Sequence, residues 1–134
     1  MTERITTAGI ALKDGRVLVA KRIEEGAIGG KWEFPGGKNR HGESVADTLG
    51  REWAEELSAN IETGEELYCC DFTNNGVLYH LKALSVTLQE ERFSLSVHSE
   101  TRWVGAEELS GLDLAPSDRK ISEYLIAHNI VREG

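Results

Sequence analysis

The chain has 134 residues, of which 40% are hydrophobic, as is ordinary for one globular domain with its own core. Asp and Glu total 23 against 15 Lys and Arg, and the net charge of -8 disfavours a nucleic-acid groove or an anionic membrane surface as the main partner. No run approaches the roughly 18 apolar residues of a membrane-spanning helix, and the N-terminus has no apolar signal region. We therefore expect a single domain over residues 1–134, located in the cytoplasm, that binds neither nucleic acid nor membranes.

The first elements are predicted to form a hairpin. Thr6 to Lys13 is an apolar and β-branched run that ends at Asp14-Gly15, a strong turn signal. Arg16 to Arg22 returns as the second strand. A glycine-rich loop follows from Ile23 to Gly30, and Lys31 to Phe34 is predicted as a short strand.

A helix is predicted after the Pro-Gly-Gly turn at residues 35–37. Ser44 and Asp47 have the form of a capping box, so the helix should start at Ser44 and run to about Leu57. Its apolar side chains make one stripe that should face the core. They are Val45, Ala46, Leu49, Trp53 and Leu57.

Three glutamates lie beside this stripe. At about 100° per residue, Glu52, Glu55 and Glu56 fall within an arc of roughly 100°. Like charges so placed repel by about 0.2–0.5 kcal/mol per pair, and a divalent cation would remove that cost. Mg²⁺ takes oxygen ligands and is typically held by carboxylates together with substrate phosphates, while Gly36 and Gly37 would let the backbone approach the same ion or phosphate. The alternative is a glutamate-rich helix that is simply solvated.

The spacing of these residues resembles the signature of the Nudix hydrolases, G-x5-E-x7-R-E-U-x-E-E-x-G-U, in which U is a bulky aliphatic residue. The matching positions are Gly37, Glu43, Arg51, Glu52, Glu55 and Glu56. The preceding WEFPGGK is similar to the same region of the MutT-like nucleoside triphosphate pyrophosphohydrolases. Two positions differ from the pattern. Trp53 stands where an aliphatic residue is usual, and Ser58 replaces the glycine after the helix, so the chain should leave the helix in another way.

After the helix, Asn60-Ile61 and Glu66 to Phe72 are predicted strands, and the turn Asn74-Asn75-Gly76 leads into a strand from Val77 to Thr87. This last run is the longest β-rich segment of the chain and should cross the middle of the sheet. His80 lies within it. A single histidine in a strand is more often a hydrogen-bonded structural residue than a catalyst.

Cys69 and Cys70 are adjacent in a predicted strand, so their side chains should point to opposite faces. That arrangement suits neither an ordinary disulfide nor a metal-binding pair, and two reduced thiols are expected.

Ser94 to Val104 ends in a short predicted strand, Trp103-Val104. In many MutT-like members a glutamate a few residues before this tryptophan is a metal ligand or a base, but the corresponding residue here is Val97, which can be neither. Glu100 is the candidate substitute. Alternatively, the helix glutamates carry the site without it.

The C-terminal part is predicted to be helical. Ala106 to Leu109 forms a helical turn, and Ser117 is the predicted N-cap of a final helix. The residues of this helix that should dock on the sheet follow helical spacing. They are Ile121, Tyr124, Leu125 and His128.

The resemblance implies a fold and an activity. The fold class is α/β (α+β), a Nudix-type α/β/α sandwich with a mixed central sheet. The activity is Mg²⁺-dependent hydrolysis of a nucleoside or deoxynucleoside triphosphate, either oxidised like 8-oxo-dGTP or a pyrimidine nucleotide, to the monophosphate and pyrophosphate, with Mn²⁺ as a substitute ion. Two alternatives stay open: hydrolysis of another derivative such as ADP-ribose, and a catalytically silent nucleotide-binding module. The protein is expected to be a monomer or a homodimer.

The resemblance also implies roles for the residues around the helix. The predicted metal ligands are Gly36, through its carbonyl, and Glu52, Glu55 and Glu56. The predicted catalytic residues are Glu52, Glu55 and Arg51. Glu52 is the candidate for the base or for orienting the attacking water. Arg51 is expected to pair with Glu43 and hold the loop against the helix.

The remaining predicted site residues bind the substrate. They are Arg22, Glu33, Phe34, Gly36, Gly37, Lys38 and Asp118. Arg22 would contact the phosphates, and Glu33 and Phe34 stand where the family contacts the sugar and the nucleobase. Asp118 follows an Ala-Pro step and would read the edge of the base. An ionised carboxylate accepts hydrogen bonds and cannot donate them, which favours a base that presents donors.

Overall fold

The computed structural model describes residues 2–133. Its strands are β1 (Thr2–Lys13), β2 (Arg16–Arg22), β3 (Trp32–Glu33), β4 (Ile61–Asn74), β5 (Val77–Leu88) and β6 (His98–Val104), and its helices are α1 (Val45–Leu57), α2 (Ala106–Gly111) and α3 (Pro116–Ala127). The strands form one sheet in the order β3-β2-β1-β5-β4, with β6 on the other edge of β2. No helix in residues 2–133 has the length and apolar character needed to cross a membrane.

The predicted α/β/α sandwich around a mixed sheet is confirmed. β1 and β5 are parallel, whereas the other strand pairs are antiparallel. Side chains of β5 alternate between the two faces: Leu81 and Ala83 join the core beneath α2 and α3, and Leu84 and Val86 join the core beneath α1. A sheet that is buried on both faces holds its loops in fixed positions.

The predicted hairpin of β1 and β2 is present, but its strands part almost at once. Only two residue pairs next to the turn are matched. Beyond them, the segment after β3 lies along β1: the Gly9 N–H donates to the Pro35 carbonyl (2.8 Å), and the Thr7 N–H donates to the Gly37 carbonyl (2.8 Å). The Pro-Gly-Gly turn therefore sits between β1 and β2 as part of the sheet's framework.

Helix α1 begins and ends where the sequence predicts. The Ser44 side chain accepts a hydrogen bond from the Asp47 N–H, as in the predicted capping box, and the helix ends at Leu57. The expectation for Ser58 was wrong. Ser58 adopts the left-handed conformation (φ 56°, ψ 34°), which is how the glycine of the family pattern would leave the helix.

Trp53 connects the helix to the Pro-Gly-Gly turn. Its side chain is fully buried, and the indole N–H donates to the Pro35 carbonyl at 2.9 Å. The indole lies directly against Gly9 of β1, where a Cβ would come within 2.4 Å of the indole nitrogen. The residue that departs from the family pattern thus fixes the distance between α1, the turn and β1.

Several strands differ in length from the prediction. β1 starts at Thr2, and the two segments predicted at Asn60-Ile61 and Glu66 to Phe72 are one strand with two irregularities in its pairing to β5. β5 lies in the interior of the sheet, as predicted. β6 starts at His98, five residues before the predicted strand at Trp103-Val104. These extensions carry polar residues, which a pattern of apolar alternation does not detect.

The prediction of Ser117 as an N-cap was wrong, because the N-cap of α3 is Ala115 and the helix begins at Pro116. Proline is favoured at the first helical position, where its missing N–H costs nothing. Ile121 and Leu125 are fully buried as expected, whereas His128 is the exposed C-cap and stacks on Tyr124. The predicted helical turn at Ala106 is the start of α2.

The other predictions on single side chains agree with the structure. Cys69 is exposed, Cys70 is partly buried, and both are free thiols. The His80 ring lies between two carboxylates, 2.8 Å from Asp71 and 2.8 Å from Glu3, so it is a hydrogen-bonded structural residue. The assignment of residues 1–134 to a single domain stays a prediction.

Replacing Gly9 with alanine should destabilise the fold by about 1–3 kcal/mol, because the new methyl group would overlap the Trp53 indole. The matched control is Gly50→Ala in α1, where a Cβ meets no atom within 4 Å and alanine favours the helix by up to about 1 kcal/mol. Urea unfolding of both variants measures the difference. A Gly9→Ala protein as stable as the Gly50→Ala protein would contradict the packing described for Trp53.

Candidate active site

A cleft of about 900 Å³ opens beside the Pro-Gly-Gly turn. Most of the sequence-predicted site residues line it: Arg22, Glu33, Phe34, Gly36, Gly37, Lys38, Glu52, Glu56 and Asp118. Glu55 and Arg51 lie just outside this lining on α1. The fold therefore brings residues from β2, β3, the turn, α1 and the start of α3 to one place, and its volume suits a small-molecule ligand.

Both positions of the turn require glycine, because neighbouring atoms leave no room for a Cβ. A Cβ on Gly36 would come within 2.1 Å of the Thr7 carbonyl oxygen, and one on Gly37 would come within 2.5 Å of the Glu52 carboxyl carbon. The Thr7 hydroxyl donates to the Gly37 carbonyl (2.9 Å) and accepts from the Gly37 N–H (3.1 Å). The backbone of the turn is thereby held against the Glu52 carboxylate.

The three carbonyls of the turn have different surroundings. Those of Pro35 and Gly37 accept hydrogen bonds from β1 and α1. The Gly36 carbonyl, which was predicted as a metal ligand, accepts none within residues 2–133. It is the oxygen of the turn that stays available to a ligand.

Arg51 holds the loop against the helix as predicted. Its Nε and Nη2 donate to the two oxygens of Glu43, at 2.7 and 3.0 Å, and Nη2 also donates to the Lys38 carbonyl at 3.1 Å. Hydrogen bonding by the Arg51 side chain lowers the pKa of Glu43 to about 2. Arg51 Nη1 donates to Glu52 at 2.7 Å. The same guanidinium therefore holds the loop before α1 in place and orients a carboxylate of the cleft.

The three helix glutamates differ in exposure. The side chains of Glu52 and Glu56 are each 14% exposed, whereas that of Glu55 is 52% exposed and lies 3.5 Å from Arg51. Glu56 Oε1 is buried and has no hydrogen-bond partner within residues 2–133. Burial, followed by the negative charges of Glu33 and Glu52, raises the pKa of Glu56 to about 8. The positive charge of Arg22 acts against this shift and offsets it only in part.

These residues fit a hard divalent cation. The carboxylates of Glu52, Glu55 and Glu56 and the Gly36 carbonyl supply only oxygen ligands, the type that Mg²⁺ prefers. The unpartnered Glu56 oxygen and the raised pKa are what a carboxylate shows where a cation is needed to balance its charge.

Sequence reasoning missed His98. Its ring is buried, and Nε2 lies 2.8 Å from Glu33 Oε2 and 4.0 Å from Glu56 Oε1. Glu33 Oε2 also accepts from Arg22 Nη1 at 3.1 Å. Glu33, Glu56 and His98 place one ligand-type atom each within 4.8 Å of one another. No local motif marks this histidine, because its position depends on how β6 pairs with β2.

Glu100, the candidate substitute for the missing family glutamate, does not line the cleft. Its carboxylate accepts from Arg102 at 3.3 Å. β6 pairs Glu100 with Lys21 and His98 with Arg22. The register of the two strands therefore shifts between Lys21 and Arg22. Only the histidine reaches the glutamates of the cleft.

Asp118 is buried in the first turn of α3, and its Oδ1 accepts a hydrogen bond from the Phe34 N–H at 3.0 Å. Burial, together with the charge of Glu33, raises the pKa of Asp118 to about 7. The role of Asp118 in reading the edge of the base stays a prediction.

Other cleft residues lay outside the sequence-based prediction. Phe72, Thr73 and Asn74 come from the end of β4, and Lys120 comes from α3. The Lys38 ammonium lies 5.5 Å from the centre of the Tyr79 ring, which stacks on Phe72. These positions are set by the β4–β5 hairpin, and no spacing in the sequence connects them with the glutamate helix.

Comparison with known protein families identifies the family to which the chain belongs. A family model described as a NUDIX domain matches residues 6–124. The chain belongs to the Nudix family. The match spans the Pro-Gly-Gly turn, α1 and the start of α3, so the residues of the cleft are all inside it.

Known Nudix proteins resemble the chain over nearly its whole length. It is 36% identical over 122 residues to "Putative 8-oxo-dGTP diphosphatase 2" of Mycobacterium tuberculosis, covering 89% of this chain and 85% of that protein. It is 32% identical over 125 residues to the CTP pyrophosphohydrolase of Escherichia coli K12, covering 93% of each. The crystal structure of the MutT protein from Methanosarcina mazei Go1 has the same fold, with a TM-score of 0.80, 24% identity and 96% coverage of both chains. The chain is therefore a Nudix hydrolase.

Without metal, the protein should lose stability as the pH rises. The folded-state pKa of Glu56, about 8, lies above the ordinary value of 4.5, so the folded state binds the extra proton and the free energy of unfolding falls between these two pH values. Urea unfolding midpoints, measured in EDTA at several pH values, should fall as the pH rises. Glu56→Gln should make this fall smaller. Added Mg²⁺ should raise the midpoint more near pH 8 than near pH 5. An equal fall of the urea midpoint with pH in the wild type and in Glu56→Gln would contradict the raised pKa of Glu56.

Proposed function

We propose that this Nudix hydrolase converts a nucleoside triphosphate and water into the nucleoside monophosphate and pyrophosphate, with Mg²⁺ as cofactor and Mn²⁺ as a substitute. The observation that carries the proposal is the buried oxygen of Glu56, which has no hydrogen-bond partner among residues 2–133, together with Glu52 and the Gly36 carbonyl in the same cleft. Arg22 and Lys38 line the same cleft and supply positive charge for phosphates. A polyphosphate can enter a protein with a net charge of -8 only where such charges are gathered.

The metal-binding part of the proposal uses Glu52, Glu55, Glu56 and the Gly36 carbonyl. An ion bound there would supply charge neutralisation at the phosphate oxygens and a bound water of lowered pKa. Glu52 is the residue proposed to accept the proton of the attacking water or to orient that water. Its Oε1 is held by Arg51 Nη1 at 2.7 Å, so the carboxylate has a fixed direction. Arg51 and Glu43 support it without touching the substrate.

The substrate-binding part uses both ends of the cleft. Arg22 and Lys38 would hold the phosphates, and Glu33, Phe34 and Asp118 would form the end that receives the nucleoside. The relatives named for 8-oxo-dGTP and for CTP suggest an oxidised guanine or a cytosine as the base. Both bases present donors and acceptors together, and an aspartic acid that is partly protonated near neutral pH can satisfy either kind of group. We place this reaction in the cytoplasm, with a monomer or homodimer as the active form and neither nucleic acid nor membrane as partner.

Measuring released pyrophosphate against orthophosphate across a substrate panel tests the proposed reaction. The panel holds ordinary and oxidised ribo- and deoxyribonucleoside triphosphates, with ADP-ribose as the rival substrate. We expect Mg²⁺-dependent pyrophosphate release from 8-oxo-dGTP or from a cytidine triphosphate, and none in EDTA. Cleavage of ADP-ribose alone, or tight nucleotide binding without turnover, would overturn the proposed substrate class.

Glu55→Gln and Glu56→Gln should each lower turnover by orders of magnitude while the fold is kept, because each change removes a negative oxygen ligand and keeps the shape of the side chain. The matched control is Glu65→Gln on the exposed part of β4, which should keep wild-type turnover. Steady-state rates, with circular dichroism as the check on folding, provide the measurement. A near wild-type rate for Glu56→Gln would remove this residue from the metal site.

A further inference from the structure

His98 is the only buried histidine in the described chain, and its side chain has no exposed surface. Its Nε2 lies 2.8 Å from Glu33 Oε2, the same oxygen that accepts from Arg22 Nη1 at 3.1 Å. The Glu33 side chain is itself only 11% exposed. One carboxylate oxygen thus connects a buried imidazole with the arginine proposed to hold the phosphates.

The hydrogen on the imidazole can be placed from these contacts. A ring with its only N–H on Nδ1 would turn the lone pair of Nε2 towards a carboxylate oxygen, which is repulsive at 2.8 Å. Nε2 therefore carries a hydrogen and donates it to Glu33. An Nε2 that donates a hydrogen has no lone pair for a metal ion, and His98 Nδ1 has no partner in residues 2–133 to stabilise the ligating tautomer. His98 Nε2 is therefore a hydrogen-bond donor to the Glu33 carboxylate.

The backbone around His98 is fixed to the helix that carries the glutamates. The N–H groups of Ser94 and Ser96 donate to the last carbonyls of α1, those of Leu57 (3.0 Å) and Glu56 (3.2 Å). The Val97 carbonyl accepts from the Ile23 N–H at 3.0 Å, directly after Arg22. The segment before β6 thus joins the end of α1 to the end of β2, and His98 reaches Glu33 from a rigid support.

We propose that His98 is a positioning residue for the reaction. Its Nε2–H holds the Glu33 carboxylate in the place where this carboxylate binds Arg22 and lies beside Glu56. The inference rests on the proposed function for its catalytic consequence. The hydrogen bond from His98 to Glu33 is independent of that function.

The test compares substitutions that keep or remove the donor. His98→Leu removes it at similar volume and should lower kcat/KM by about 10–100-fold. His98→Gln places an amide N–H close to the position of Nε2 and should restore the rate to within a few-fold of wild type, whereas His98→Asn, whose amide reaches only the position of Nδ1, should not. His128→Gln at the exposed end of α3 is the matched control and should have no effect.

A double-mutant cycle tests whether His98 acts through Glu33. Adding His98→Leu to Glu33→Leu should cost little more than Glu33→Leu alone, because the acceptor of the hydrogen bond is already absent. Fully additive losses would overturn the positioning role. Mn²⁺ affinity, measured by electron paramagnetic resonance, should be similar in wild type and His98→Gln, whereas a large loss in His98→Gln would make His98 a ligand and overturn the proposal.

The nitrogen-15 shifts of the His98 ring give a readout that does not depend on activity or on the stability of a variant. The wild-type protein should show a hydrogen on Nε2, with a shift that changes in Glu33→Gln. A ring with its hydrogen on Nδ1 alone would overturn the inference. If the wild-type protein hydrolyses no triphosphate, the proposed function fails, and these shifts still decide whether His98 holds Glu33.

Discussion

The site depends on the parting of β1 and β2. Two strands joined by a tight turn would normally pair along their length, but here they share two residue pairs, and the segment after β3 takes the vacant edge of β1. Trp53 stabilises this arrangement, since its indole donates to the Pro35 carbonyl and packs on Gly9. Gly36 and Gly37 are consequently held as part of the framework, and the Gly36 carbonyl accepts no hydrogen bond within residues 2–133. A flexible loop in the same place could not keep a carbonyl and two carboxylates together.

Around this framework the chain gathers carboxylates at some cost in stability. Glu33, Glu52 and Glu56 lie close together and mostly buried, and their charges contribute to the raised pKa values of Glu56 and Asp118. Among residues 2–133, Arg22 balances part of this charge at Glu33 and Arg51 balances part of it at Glu52. Natural proteins break the rules of stable packing mainly at functional sites, and the unbalanced negative charge here lies where a divalent cation would offset it.

Much of the fold and part of the site follow from local signals in the sequence. The β1–β2 turn, the capping box at Ser44 and the spacing of the helix glutamates each depend on residues a few positions apart. His98 could not be found in this way, because it reaches Glu33 through an irregularity in the β2–β6 pairing that no spacing reveals. Ser58 shows the opposite error. A serine can adopt the left-handed conformation at the end of a helix. Replacing the glycine therefore raises the free energy of this conformation without changing its geometry.

The most direct test of the account is a crystal structure with Mn²⁺ and a non-hydrolysable nucleoside triphosphate analogue, in which anomalous scattering locates the ion. The account predicts an ion bound by the carboxylates of Glu52, Glu55 and Glu56 and the Gly36 carbonyl, with the analogue's phosphates beside Arg22. An ion bound only elsewhere, or phosphates that lie away from α1, would contradict it.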